Sequence, residues 1–500
     1  EVARVGLGSS GQTEWSLAAF PGGFEMNQRA LGWVYAVGLV AGTAFLSSGP
    51  ATAQETPEAP AAEAPNPQGQ ETPDAPAADP NAFRARFGFE GKAHYRDSEN
   101  LRFPSPFPFP PEFLPPGATQ GFLETVNEGQ HFELSVLTLF VDASWGPNIA
   151  AHAKVDFIDL YDRNPTSSDK EIDVDELWVR FGSDPAVLSE RFGLYVKAGK
   201  FGHFERQNDR HAESYGLVAT AFNRFEDQGL EVGAEFGRHF FVVGSLTQGN
   251  PVFFRDPNAL AGDNGTPAID PSLHTNPVPE LQSGFPILYD AEVEDLDVDG
   301  DLEVGYGLGL RFGEPGSGRE VKLLGWAYQR QLAETVSLNG TFYGGDLDLL
   351  NGPADIFGLP IQGDDKEEVG ANLWIYLGGL SFFGQYVEQE IAGMDRTGYE
   401  GEVAWRFDLP LAWAAGGRQL FPYFQPVVRY SFLEPEFAGG SPRFPSPSVR
   451  WEWSKLDYGL RLGIIEGVDL TLEFADNEMT LANGRKLSND ELLTPLRFRM

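Results

Sequence analysis

Cysteine is absent from the 500 residues. No disulfide framework holds this chain together, a composition that suits an exported protein stabilised by other means. Long apolar runs are also scarce: no stretch of 18 apolar residues occurs after residue 53. That excludes a bundle of transmembrane helices, each of which needs about 20 such residues. It does not exclude a membrane β-barrel, which escapes hydropathy windows because half its residues face the lumen. Basic charge is the third shortage. Lys+Arg total 36 against Asp+Glu 73, a net charge of −37. Nucleic acid is therefore not an expected partner, since a phosphate backbone needs a basic footprint.

What is present is alternation. In 399–408, Tyr399, Gly401, Val403, Trp405 and Phe407 fall in one phase and Glu400, Glu402, Ala404, Arg406 and Asp408 in the other. Side chains on a strand alternate faces with period two, so one face is greasy and one wet. The repeat of about ten residues is the length a tilted strand needs to cross a bilayer. With Gly 58, Phe 39, Tyr 15 and Trp 10, the pattern from residue 82 to 500 reads as an all-β, antiparallel, up-and-down transmembrane barrel.

The first 81 residues read differently. A signal peptide is expected over 26–53, with Arg29 as its basic region, Ala30 to Leu46 as its apolar region and Ala51-Thr52-Ala53 as its cleavage site. Residues 1–25 read as an upstream extension. Residues 54–81 form a linker in which Glu-Thr-Pro-Glu-Ala-Pro-Ala-Ala at 55–62 recurs with one change at 71–78. Such Pro/Ala/acid sequence cannot bury a core and is expected to serve as a disordered periplasmic tether. The whole points to a bacterial outer membrane, with its lipid as the surrounding partner.

Loop parity counts the strands. Barrels of this kind join strands by short periplasmic turns and long external loops. Strands are expected near 83–96, 131–144, 149–160, 174–182, 192–201, 228–236, 240–247, 302–312, 319–343, 369–377, 380–389, 398–408, 420–433, 451–464, 467–475 and 490–498. Long and short connections alternate throughout if 319–343 is one strand. The total is sixteen, and splitting 319–343 gives eighteen once a further strand is added elsewhere. Pro495 demands a local break in the last strand, because proline donates nothing to a ladder. A closed barrel of about sixteen strands leaves an aqueous channel rather than a packed core.

Phase then assigns charges to the wall. The inward basic residues are Arg84, Arg86, Lys92, Lys154, Arg180, Lys197, Arg311, Arg406, Arg429, Arg461 and Arg497. The inward acids are Glu90, Asp156, Glu176, Glu231, Glu235, Glu303, Glu400, Glu402, Asp408, Asp457, Asp469 and Glu473. The wall is near balance, so the surplus acid belongs to loops and linker. Rings of charge set ion preference by sign, and a mixed wall beneath acidic loops predicts a general or mildly cation-preferring channel. For any single residue a wall salt bridge is the competing role.

Three segments carry the resemblance of residues 82–500 to a Gram-negative outer-membrane family. They are Gly199-Lys200-Phe201 closing one strand, Asp227-Gln228-Gly229-Leu230-Glu231-Val232 entering the next, and the last hairpin from Tyr458 onward. The chain resembles a phosphate-selective porin of the O and P type. The resemblance implies sixteen strands, a homotrimer, passage of anions such as phosphate, and a third external loop folded into the lumen. That loop is 202–227, with Lys200, Glu205, Arg206, Asp209, Arg210, Glu213 and Arg224 as the residues of the constriction. Two features depart from the pattern. Phe498 is followed by Arg499 and Met500 where such barrels end in an aromatic, and the chain is less basic than an anion channel calls for.

No catalytic constellation emerges. His203 and His211 share a loop with Glu205 and Glu213, without the His-Glu-x-x-His spacing of a zinc site. The 313–319 segment lacks the Lys-Ser/Thr of a phosphate loop, and no Gly-x-Ser-x-Gly elbow occurs. Asp295, Asp297, Asp299, Gly300 and Asp301 resemble the start of a calcium loop, although position twelve is Tyr306 rather than Glu. The expected function is therefore passive diffusion of small hydrophilic solutes or ions, with no cofactor and no enzyme chemistry. The alternative is an acidic surface barrel or adhesin that binds a partner or a divalent cation through its long loops.

Overall fold

A computed structural model describes residues 82–99, 102–104, 116–124, 129–159, 172–185, 192–222, 226–249, 252–255, 266–267, 286–287, 290–293, 302–332, 338–340, 345–346, 363–437 and 450–500. The expected segments 1–25, 26–53 and 54–81 lie outside these residues, as does the acidic run Asp295, Asp297, Asp299 and Asp301.

Sixteen long strands form one antiparallel barrel. In chain order they are β1 (Phe83–Ser98), β2 (Gly129–Trp145), β3 (Ile149–Asp159), β4 (Asp173–Gly182), β5 (Phe192–Gly202), β6 (Glu226–Phe236), β7 (Phe240–Thr247) and β8 (Glu303–Glu314). There follow β9 (Arg319–Gln331), β10 (Asp365–Leu377), β11 (Leu380–Ile391), β12 (Met394–Trp405), β13 (Tyr423–Pro435), β14 (Glu452–Ile465), β15 (Val468–Thr480) and β16 (Glu491–Arg499). Each pairs with its neighbours in sequence, and β1 pairs with both β2 and β16, which closes the ring. Closure removes the open edges that a bilayer cannot satisfy. The final residue takes part: the Met500 N–H donates to Phe89 O and the Phe89 N–H to Met500 O, both at 2.9 Å.

The burial pattern is inverted relative to a soluble protein. On β8 the apolar Val304, Tyr306, Leu308, Leu310 and Phe312 are exposed, while Glu303 and Arg311 are buried. Phe87 is 76% exposed and Leu177 56%, whereas Glu402 and Arg429 are 2% and 1% exposed. An apolar exterior around a charged interior is what lipid outside and polar groups inside require. Aromatic rings crowd the short-turn rim. Phe83 stacks near Trp145 (4.5 Å), Phe192 near Phe236 (5.5 Å) and Trp405 near Phe407 (4.9 Å), all outside. Such a girdle marks the interfacial level of a membrane barrel.

Three expectations are corrected. The ninth strand ends at Gln331 rather than near 343, and Leu338–Gly340 instead pairs with Asp290–Val293 in a small separate sheet. Strict alternation of loop length fails at β11–β12. These strands run on to meet in the two-residue turn Ala392-Gly393, with φ of 49° and 78°, a pair of left-handed residues that suits a tight hairpin. The compensating long connection, 406–422, lies at the opposite, short-turn end and carries its own small hairpin. The break at Pro495 is one-sided: pairing of β16 to β1 is continuous, but its pairing to β15 skips Thr494 and Pro495.

The third correction concerns the lumen. Inward positions of β9 to β15 include Trp326, Trp374, Phe383, Val387, Leu433, Trp453 and Met479, all buried in one apolar cluster. Apolar side chains fill much of that part of the interior.

Candidate functional site: the inward loop and the passage beside it

What packs it is the loop between β5 and β6. Gly216 precedes a single helical turn, α1 (Leu217–Ala221), whose Leu217, Val218 and Ala221 are fully buried with Phe222 in the same cluster. Two glycines permit the close approach. A Cβ on Gly216 would sit 2.0 Å from Glu400 Oε2, and one on Gly398 of β12 would sit 2.6 Å from the Phe222 ring. A side chain at Gly398 would have to displace the Phe222 ring, and one at Gly216 would turn the Glu400 carboxylate aside.

Chain entering a barrel interior must find partners for its backbone. Here the wall charges supply them. Glu402 accepts from the N–H groups of His211 (2.8 Å) and Ala212 (3.2 Å). Glu473 accepts from the N–H groups of Glu213 (2.6 Å) and Ser214 (2.9 Å). In the opposite sense Arg429 donates to Ser214 O (2.7 Å), Arg461 to His211 O (2.8 Å), Lys455 to Tyr215 O (2.7 Å) and Arg396 to Ala221 O (2.9 Å). The Ser214 hydroxyl lies 2.7 Å from both Asp457 and Glu473.

Glu213 joins the two sides of the barrel. It accepts from Lys92 of β1 (3.0 Å) and from Arg461 of β14 (2.7 Å). Burial alone would raise its carboxyl, but Lys92, Arg461, Arg497 and His94 outweigh that and hold it well below the usual carboxylate range.

The other candidates divide by location. Arg429 and Arg461 face inward, are buried and anchor the loop, because its desolvated carbonyls need donors; Arg429 also borders the cavity described below. Arg180 pairs with Asp184 (2.8 Å), and Arg311 with Glu235 (3.2 Å) and Glu320 (3.3 Å). Lys197 pairs with Glu231 (2.9 Å) and lies over the Phe201 ring. Lys154 pairs with Asp156 (3.2 Å) and with Asp175. Arg84 and Arg86 are exposed near the short-turn end, where Arg86 stands opposite Asp142. Arg406 is half-exposed at that rim, stacked on Tyr423 and paired with Asp408 (2.9 Å).

Within the expected constriction set, Lys200 is corrected. It lies inside β5, opposite Gln228 of β6, in the same outward phase as Val196, because β5 extends to Gly202. Arg206 pairs with Glu226, Asp209 accepts from the Tyr376 hydroxyl (2.5 Å), and Glu205 is fully buried and accepts from the Tyr328 hydroxyl (2.7 Å). Arg210 stacks on Tyr215 at 3.7 Å and makes no ion pair among the described residues. Arg224 lies outside the described residues.

Between the loop and the β1–β5 wall a cavity of about 800 Å³ remains. Its wall side carries Arg86, Glu90, Lys92, Asp142, His152, Lys154, Asp156, Glu176 and Lys197; its loop side carries Arg206, Gln207, Asn208, Arg210 and Tyr215. A second cavity of about 630 Å³ shares Lys197, Gly202, Arg206 and Asn208 with the first and reaches the short-turn end at Pro185, Pro315 and Gly316. The second cavity is bordered by β5 to β10, including Glu320 and Lys322 of β9 and Trp374 and Tyr376 of β10, so open space lies on more than one side of the loop. Sequence reasoning missed the loop anchors Lys455 and Arg396 and the neutral half of the lining. The anchors belong to strands whose inward phase is legible, but only the loop's path shows what they hold.

The closed ring, the lipid-facing apolar exterior and the charged interior define a transmembrane β-barrel. No protein-family model matches the sequence, and no curated protein does. Solved structures similar to it are outer-membrane barrels. OmpT, an outer membrane protein of Vibrio cholerae, is 10% identical over 86% of this chain and 100% of its own, with a TM-score of 0.42. The outer membrane channel DcaP of Acinetobacter baumannii is 7% identical over 84% and 97%, TM-score 0.44. An anion-selective porin from Comamonas acidovorans is 8% identical over 84% and 100%, TM-score 0.40. At such distances the likeness is one of architecture. Membership of the phosphate-selective O and P family receives no support from these comparisons.

Proposed function

We propose that this protein is an outer-membrane porin giving passive diffusion to small hydrophilic solutes through the channel left open beside its inward loop. The observation that carries the reading is the 800 Å³ cavity with one wall of barrel charge and one wall of loop. A barrel that needed only to be stable would gain nothing by keeping one side of its interior hydrated. No bond is made or broken, and the mechanism is diffusion past a fixed electrostatic lining.

The lining argues for weak selectivity. The overall charge of −37 favours cations. The passage itself is dominated by opposed pairs, with Lys92 on Glu213, Lys154 on Asp156, Lys197 on Glu231, Arg206 on Glu226 and Arg499 on Glu90 (2.7 Å). Paired charges largely cancel at the distance of a passing ion. The reading is a general channel with slight ion preference, not a phosphate filter. The homotrimer implied by the family resemblance forms part of this proposal.

Reconstitution in planar bilayers tests it. Discrete ohmic steps are expected, with a permeability ratio within a few-fold of unity in a salt gradient. Silence at high protein concentration would instead favour the surface-binding alternative, and a strongly anion-selective reversal potential would contradict the pairing argument.

A further inference from the structure

At the root of the inward loop, three strands bring together groups that no linear motif joins. His203 is the first residue after β5, Asp227 lies near the start of β6, and Glu303 opens β8. One donor atom from each lies within 4.8 Å of the other two. The His203 side chain is only 9% exposed, and Asp227 and Glu303 are 6% and 1% exposed. Neither ring nitrogen of His203 makes a hydrogen bond, although both are shut off from solvent. Its polar approaches among the described residues are to carboxylates at 3.5 Å and 3.9 Å, longer than ordinary hydrogen bonds.

The two nitrogens are aimed at carboxylates. Nε2 lies 3.9 Å from Asp227 Oδ2 and Nδ1 lies 3.5 Å from Glu205 Oε1. Each carboxylate is held in place from behind. Asp227 accepts from the N–H groups of Gln228 (2.7 Å) and Gly249 (3.0 Å), Glu303 from Lys366 (2.7 Å), and Glu205 from the Tyr328 hydroxyl. Oriented ligands with their own outer partners are the usual framework of a metal centre. Lys366 is shared with Glu368 at 3.3 Å, so it offsets only part of the three-carboxylate charge.

We propose that His203, Asp227 and Glu303 bind one divalent transition cation of the zinc type, with Glu205 beside them. An imidazole nitrogen with carboxylate oxygens suits zinc and its neighbours, whereas calcium and magnesium prefer oxygen alone. Bonds of about 2.0–2.2 Å would draw the donors together by roughly 1 Å, a small movement for a loop residue and two strand-end side chains. The cation would pin the loop's point of entry to β6 and β8, so that the loop is fastened at its root as well as at Glu402 and Glu473.

The test uses the full-length barrel purified in detergent, stripped with a chelator and dialysed against cobalt or zinc. One cation per chain is expected. Cobalt is expected to give visible d–d absorption that zinc displaces and that excess calcium or magnesium does not. His203→Gln and Asp227→Asn, each checked for strand content by circular dichroism, are expected to weaken binding about tenfold or more. His239→Gln, at a distant turn, is expected to bind as the wild type does. Absence of cobalt binding by the wild type would overturn the proposal and leave His203 as a protonated imidazole neutralising its three carboxylates. So would unchanged affinity in both variants. Neither result bears on channel activity, which is read separately.

Discussion

The two sides of the barrel interior solve opposite problems with the same strand pattern. Strands β1 to β5 present Arg86, Lys92, Asp142, Lys154, Asp156, Glu176 and Lys197 to an open cavity. Strands β9 to β15 present Trp326, Trp374, Phe383, Leu433 and Trp453 to a loop that buries them. On the first side, ion pairs run along a strand, between neighbouring strands or to the loop, and the lysines Lys92, Lys154 and Lys197 remain part-exposed. On the second, charges such as Arg429, Lys455, Asp457 and Glu473 are buried, and their partners are loop backbone, the Ser214 hydroxyl and one another. Inward charge therefore does not by itself mean pore lining. Its role depends on whether water or chain lies over it, and the desolvation cost of a buried ion makes the covered set far more sensitive to substitution.

That difference predicts where the largest effect falls. Glu473→Ala removes the acceptor for the N–H groups of Glu213 and Ser214 and for the Ser214 hydroxyl. It also leaves those donors buried. Breaking a buried charged network of this kind costs about 3–5 kcal/mol. The expected result is a lowered melting temperature together with a single-channel conductance at least about twofold higher, as the loop leaves the wall. Melting that falls while conductance stays fixed would show that the loop does not set the narrowest point. The matching substitution on the open side, Glu176→Ala, faces the cavity and is expected to change melting by less than about 1 kcal/mol equivalent.

The contrast also explains what the sequence could convey. Sixteen strands and their faces are legible, because period-two alternation survives in both halves: Val304, Tyr306 and Leu308 out, Glu303 and Arg311 in. The packed half is hidden in the same alternation. Trp326 and Trp374 fall in the inward phase beside Lys322 and Asn372, where an aromatic reads as an exception until the loop that covers it is seen. Turn length misled where β-strands outlast their hydrophobic segment. Glu390 and Ile391 fall beyond the expected strand 380–389 but continue β11 to the Ala392-Gly393 turn, because antiparallel pairing with β12 persists beyond the apolar zone. His203, Asp227 and Glu303 are a hundred residues apart from first to last, and their meeting is a product of barrel closure that spacing cannot reveal.

Glu213 offers a way to sharpen the comparison, since it bridges Lys92 of β1 and Arg461 of β14. Its folded pKa lies well below the usual range. A carboxylate depressed on folding contributes stability above its unfolded pKa, about 4.3, and loses it as pH falls through the folded value. The melting temperature of the wild type should hardly depend on this group between pH 7 and about pH 5. Glu213→Gln should melt lower at pH 7, by the equivalent of about 1.5–3 kcal/mol for charge-assisted hydrogen bonds. The gap between the two proteins should close as the medium is acidified below about pH 4. A gap that stays constant with pH would mean that the Gln side chain disturbs packing instead of removing charge.

The smallest effect in stability belongs to the cation that neither side neutralises. Arg210 stands in the cavity over the Tyr215 ring with no carboxylate partner among the described residues, while Lys92, Lys154, Lys197 and Arg206 around it are paired. An unpaired charge in a narrow passage contributes its full field to an approaching ion, whereas a pair contributes only a dipole. Arg210→Glu should therefore leave melting within about 0.5 kcal/mol of the wild type, as for other part-exposed positions. It should nevertheless move the reversal potential toward cation preference. Lys154→Gln serves as the contrast, because it unbalances a pair and frees Asp156, which predicts a shift of the same sign. A shift at Lys154 without one at Arg210 would place the ion path against the β1–β5 wall and away from the loop, and would assign selectivity to the barrel rather than to the segment folded inside it.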